Sequence, residues 1–60
     1  MRTAIHESKN SEKVVKFIDS SELNQKAQKA IDNGEVVGFY YTAKGNIRFQ
    51  DVWNQTHLAQ

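Results

Sequence analysis

The 60-residue sequence predicts a small two-layer α+β fold, β-β-α-β-β, in which an antiparallel sheet carries one helix on one face. Three observations predict it. An amphipathic segment over 20–33 is bounded by capping residues. Two β-rich segments flank a glycine-containing loop after it. A run rich in β-branched residues precedes it.

The helix is the most completely signalled element. Asp19 suits the N-cap, and Glu22 three residues later completes a capping box. Ile18 and Leu23 then occupy the N′ and N4 positions of a hydrophobic staple. Leu23, Ala27, Ala30 and Ile31 recur at i, i+4, i+7 and i+8, which puts one apolar stripe on the core side. Lys26 and Lys29, with Gln25 and Gln28, fall on the other side and read as a solvated face. Asn33-Gly34 ends the helix, because glycine accepts the left-handed backbone of the C′ position without a Cβ penalty.

The segments 35–42 and 46–53 read as a hairpin. A three-residue loop, Ala43-Lys44-Gly45, meets the demand for a left-handed third residue. That loop pairs Tyr41 with Ile47, Phe39 with Phe49 and Val37 with Asp51, and Trp53 continues the same inward face. The outward face then holds Val36, Gly38, Tyr40, Thr42, Arg48, Gln50 and Val52. A two-residue turn would slip the register by one and mix polar with apolar on both faces. Asp51 is the discordant inward residue and is expected near the sheet edge, where it stays hydrated.

Before the helix, 13–18 reads as a strand with Val15 and Phe17 inward, and 2–7 as a further strand with Ile5 inward. The polar stretch 8–12 links them. One domain spans 1–60, with its ordered core over 13–53 and 54–60 as a loose tail.

Composition bounds the function. A chain this short buries only about 60% of the surface its unfolded state exposes, so a homodimer or a partner that shares the burial is expected. There is no cysteine, which excludes disulfides and thiolate metal sites and fits a cytoplasmic setting. No apolar run suggests a signal peptide or a membrane span. A net charge of +1 with interspersed signs does not argue for nucleic acid by itself.

No catalytic residue, metal ligand set or cofactor motif emerges. His6-Glu7 opens like H-E-x-x-H, but Asn10 stands where the second histidine belongs, and His57 lies near the other end of the chain. Both histidines read as surface residues. There is no activated nucleophile, and capping explains Asp19 and Glu22. Gly38, inside a strand, signals a bulge or a close approach by a partner.

The expected function is therefore non-catalytic binding. The candidate surface is Tyr40 across from Arg48, with Gln50, Thr42, Val36 and Val52 around them and Lys44 at the loop tip. Tyr and Arg are frequent interface anchors, and the two valines favour a protein partner. Size and layout match many stoichiometric inhibitors and adaptors of phages and mobile elements, such as anti-restriction and anti-CRISPR proteins, although no residue motif carries a resemblance. The alternatives are a nucleic-acid-binding sheet using Tyr40, Arg48 and Lys44 with Lys26 and Lys29, and a homodimer joined through Val36 and Val52 or through an edge strand.

Overall fold

The computed structural model describes residues 2–60. Five strands and one α-helix follow the order β1 (Arg2–His6), β2 (Val14–Asp19), a 3-10 turn (Ser20–Glu22), α1 (Gln25–Asp32), β3 (Val36–Tyr41), β4 (Ile47–Asp51) and β5 (Thr56–Leu58). They form one sheet in the spatial order β2-β1-β3-β4-β5. The small α+β architecture is the expected one, but the sheet is mixed. β1 runs parallel to β3, while β1–β2, β3–β4 and β4–β5 are antiparallel. The chain passes from β2 through the helix and re-enters the sheet beside β1, which therefore takes a central position. Ile5 on β1 is fully buried accordingly.

The helical region divides in two. The capping box forms as its spacing predicts: Ser21 N–H donates to Asp19, and the Asp19 N–H donates to Glu22. It caps a single 3-10 turn, because Leu23 is extended. Asn24 then starts the true helix by accepting from the Ala27 N–H at 2.9 Å. The end is a Schellman motif: Gly34 has φ +68°, its N–H donates to Ile31 O, and the Glu35 N–H donates to Ala30 O.

The core lies between α1 and one sheet face. Ile5, Ile18, Leu23, Ala27, Phe39 and Phe49 are among its buried members, and the Phe39 and Phe49 rings stand 5.5 Å apart. The β3–β4 loop closes as anticipated, with Gly45 at φ +82° and the Thr42 N–H donating to Asn46 O. Tyr41 pairs with Ile47 and Phe39 with Phe49.

Four expectations about side-chain direction are corrected. First, a register shift between Val36 and Gly38 puts Val36, not Val37, opposite Asp51. Val36 packs against the core and Val37 is exposed, so Val36 leaves the outward surface assigned to it. Second, β2 has the opposite phase. Ile18 is buried and Phe17 is 53% exposed, because Ile18 pairs with Thr3 and Phe17 with Ala4 on the outer face. Third, β4 ends at Asp51, so Trp53 lies in a turn and is 64% exposed instead of continuing the core face. Fourth, residues 54–60 are not a loose tail. They carry β5, whose pairing to β4 brings Ala59 into the core at 0% exposure.

Candidate functional site

The face of the sheet away from the helix is open. One row of residues crosses all five strands through successive pairings of the ladder: Val14 opposite His6, His6 beside Tyr40, Tyr40 opposite Arg48, and Arg48 opposite Leu58. At about 4.8 Å per strand this row spans roughly 19 Å. Its two ends, Val14 and Leu58, are exposed apolar side chains. In the neighbouring row, Phe17 stands opposite Ala4, and Gly38 opposite Gln50, which faces Thr56. The Arg2 guanidinium sits 5.5 Å from the centre of the Phe17 ring.

The predicted Tyr40–Arg48 pair is present on this face, but it offers less surface than expected. Tyr40 is only 9% exposed. The Arg48 guanidinium is engaged, donating to Thr56 O at 3.3 Å. Gln50 donates to the Asn54 side chain. Thr42 and Lys44 belong to the hairpin loop, where the Thr42 hydroxyl accepts from the Asn46 N–H. Val52 is exposed in the turn after β4 and is not part of the sheet. The seven predicted residues therefore do not make one surface: Tyr40, Arg48 and Gln50 share the open face, Thr42, Lys44 and Val52 lie beyond its strands, and Val36 faces the core.

What the open face does contain is a hollow of about 180 Å³ over Gly38, bordered by His6, Tyr40, Gln50 and the β1–β2 loop at Lys9 and Ser11. A Cβ built on Gly38 would meet nothing within 4 Å. The glycine thus forms the floor of the hollow, and neither a tight contact nor a left-handed backbone requires it. His6 Nδ1, at the hollow's border, is buried with no hydrogen-bond partner among the described residues.

A second depression, about 300 Å³, opens on the helix side. α1 covers only part of the sheet, which leaves a cleft between its Lys26–Lys29–Ala30–Asn33 stripe and the end of β4–β5. Inside it, His57 Nε2 lies 2.8 Å from Asp51 Oδ2. His57 is opposite Phe49 in the ladder, so it is a diagonal neighbour of Asp51 on the same face. Asp51 Oδ1 also accepts from the Trp53 and Gln55 N–H groups, each at 2.9 Å. The hydrogen bond from His57 holds the Asp51 carboxyl below its ordinary range; the two backbone donors act in the same direction, against the opposing effect of burial. With Asp51 ionised, the proton between them belongs to Nε2.

No sequence motif announces this pair, since Asp51 and His57 lie six residues apart on different strands. Asp51 is buried, not hydrated at an edge, because β5 lies beyond β4, and His57 is its partner, not a surface residue. Two signals were available: the inward direction of Asp51 in the strand alternation, and Asn54, a residue that tolerates the left-handed conformation it adopts here at φ 64°. Lys26 and Lys29 line this cleft, on the opposite side of the sheet from Tyr40 and Arg48, so the five residues of the nucleic-acid alternative do not share a surface.

Among the described residues, no group of three His, Asp or Glu side chains could hold a metal ion, and no helix is long and apolar enough to cross a membrane. Comparison of the chain with models of protein families, with curated proteins and with solved structures finds no match.

Proposed function

We propose that this chain is a non-catalytic protein-binding domain that docks its partner on the open sheet face, with an anchor side chain of the partner seated in the hollow over Gly38. The observation that carries this reading is the hollow itself, on a face whose flanks expose Phe17, Val14 and Leu58. Pockets that accept one anchor, ringed by apolar surface, are where binding energy concentrates. A stoichiometric inhibitor or adaptor in a cytoplasmic setting is the form of the reading that suits a cysteine-free chain of this size.

The contact uses the face and not the β2 edge. β2 carries a bulge, with the register shifting between Ile5 and His6, and Lys16 points to the core side opposite Ile5. Both features discourage strand-to-strand pairing. A stacking platform for nucleic acid needs an exposed ring face, which Tyr40 does not present.

The test fills the hollow. Gly38→Val adds bulk where there is free space and a side chain suited to a strand, so the fold persists. Wild type, Gly38→Val and Phe17→Ser serve as baits in lysate of the source cells. A protein retained in stoichiometric amount by wild type and lost from both variants supports the proposal. An identical set of retained proteins on all three baits overturns it.

A further inference from the structure

Granted that a partner seats one side chain over Gly38, as proposed, the lining of that hollow selects its chemistry. No carboxylate lines the hollow, and with His6 neutral Lys9 is the one charged side chain that does. The acids of the β1–β2 loop lie elsewhere: Glu7 is paired with Lys13 at 3.6 Å, and Glu12 is exposed outside the lining. Lys9 makes no ion pair among the described residues. The next cation on the same face, Arg48, donates to the Thr56 carbonyl and has no carboxylate beside it either.

Hydrogen bonding points the same way. Ser11 Oγ accepts from the Lys13 N–H at 3.1 Å, so its hydroxyl proton is left to donate. The Lys9 ammonium can only donate. The Tyr40 hydroxyl makes no hydrogen bond among the described residues. The loop that presents Lys9 and Ser11 is braced, with the Ser11 N–H donating to Ser8 O at 3.1 Å and the Glu7 N–H to Lys13 O at 2.9 Å. Exposed Val37 adds an apolar wall on which a methylene stem can rest. The hollow thus offers a cation and spare donors, with no acid of its own. Complementary charge is what fixes partner choice at an interface. We infer that the side chain inserted over Gly38 is a carboxylate, a glutamate or aspartate of the partner protein, with its oxygens toward Lys9 and Ser11.

The chain has three glycines, and the signal missing from Gly38→Ala identifies the Gly38 amide in a 15N–1H spectrum. The full chain is titrated with the blocked tripeptide acetyl-Ala-Glu-Ala-amide, with acetyl-Ala-Gln-Ala-amide as the same shape without the charge, and with acetate as the charge without the peptide. The expected result is a saturable shift of the Gly38 signal with the glutamate peptide, at a midpoint about threefold below that of the glutamine peptide, the size of one exposed ion pair, and below that of acetate. Lys9→Gln removes the difference between the two peptides. Lys9 is exposed, and unchanged dispersion of the other signals confirms that the variant is folded. Gly38→Val blocks both peptides. If the glutamine peptide binds as tightly as the glutamate peptide and both are lost in Gly38→Val, the hollow remains the docking seat and the acidic anchor is overturned. A glutamate preference that persists in Lys9→Gln overturns the anchor as well, as does a glutamate peptide that never saturates. Acetate that matches the glutamate peptide makes this a site for a free carboxylate and overturns the protein anchor. Binding that survives Gly38→Val overturns the seat itself.

Discussion

Asp51 and His57 close the C-terminal hairpin across the core face, with Nε2 of the histidine 2.8 Å from the carboxylate. The aspartate is only 7% exposed, and each of its oxygens is engaged. The two partners are not equal in consequence. Removing His57 leaves the carboxylate its two backbone donors. Removing the carboxylate strands two N–H groups and an imidazole together. Asp51→Ala therefore lowers the melting temperature more than His57→Ala, and Asp51→Asn, which keeps an acceptor for the backbone donors, falls between Asp51→Ala and wild type. Thermal unfolding followed by far-UV circular dichroism ranks the three; a His57→Ala loss as large as that of Asp51→Ala would contradict the assignment.

The same contact sets the acid limb of stability. Asp51 has a lowered pKa in the folded chain because of the His57 hydrogen bond, and Asp19 is lowered by the Ser21 N–H and then the Ser21 hydroxyl. A carboxyl with a depressed folded value binds protons more readily when unfolded. Its contribution is full above the unfolded value of about 3.9 and is lost as pH falls through the lower folded value. Urea midpoints should thus hold steady above the unfolded value and drop below it. In Asp51→Asn the drop is shallower. An equal acid slope in wild type and variant would show that Asp51 is not a source of it.

Much of this architecture was legible because independent signals agreed. Phe39 and Phe49 faced the core as soon as Gly45 fixed the loop length, and Gly34 stopped the helix where its φ of +68° requires. The failures have local causes. In β2, alternation offers two apolar phases, Val15 with Phe17 or Val14 with Ile18, and the fold keeps neither whole: pairing with Thr3 turns Ile18 inward, and the bulge opposite Ile5 and His6 leaves both Val14 and Val15 exposed. In β3, the bulge rotates Val36 inward, an event that Gly38 hinted at without giving its position. The helix broke because Asn24 outcompetes Asp19 as the cap of the longer segment. β5 was invisible because a three-residue strand is stabilised almost wholly by its neighbour.

The glycines separate by backbone. Gly38 lies in a strand with no positive φ and open space at its Cβ position, so Gly38→Ala stabilises the chain by about 0.5–1 kcal/mol through a less flexible unfolded state. Gly45 and Gly34 have φ of +82° and +68°, where a Cβ meets the following carbonyl. Alanine at either position destabilises by about 1–2 kcal/mol. Chemical denaturation of the three single variants checks the signs; a destabilised Gly38→Ala would mean that the strand needs the glycine's freedom there.

Asn24 ties the helix to the last strand. Its side chain accepts from the Ala27 N–H and donates to Leu58 O at 2.6 Å, while its own N–H donates to Ala59 O at 2.8 Å. The residue is a helix cap and a strand anchor at once. Asn24→Asp keeps the cap acceptor but loses the donor to Leu58. Asn24→Ala loses both and costs about 1–2 kcal/mol, the size of a cap deletion. Truncation after Gln55 goes further. It removes β5, uncovers the core at Ala59, and takes away His57 and every partner that Asn24 has on that strand. For a chain whose core holds so few buried side chains, this is the change expected to abolish cooperative unfolding. The check is a thermal melt of the truncated chain beside Asn24→Ala and Asn24→Asp. The truncation should show no sigmoidal transition, and Asn24→Asp should melt between wild type and Asn24→Ala; a truncated chain that melts like wild type would show that β5 is dispensable to the fold.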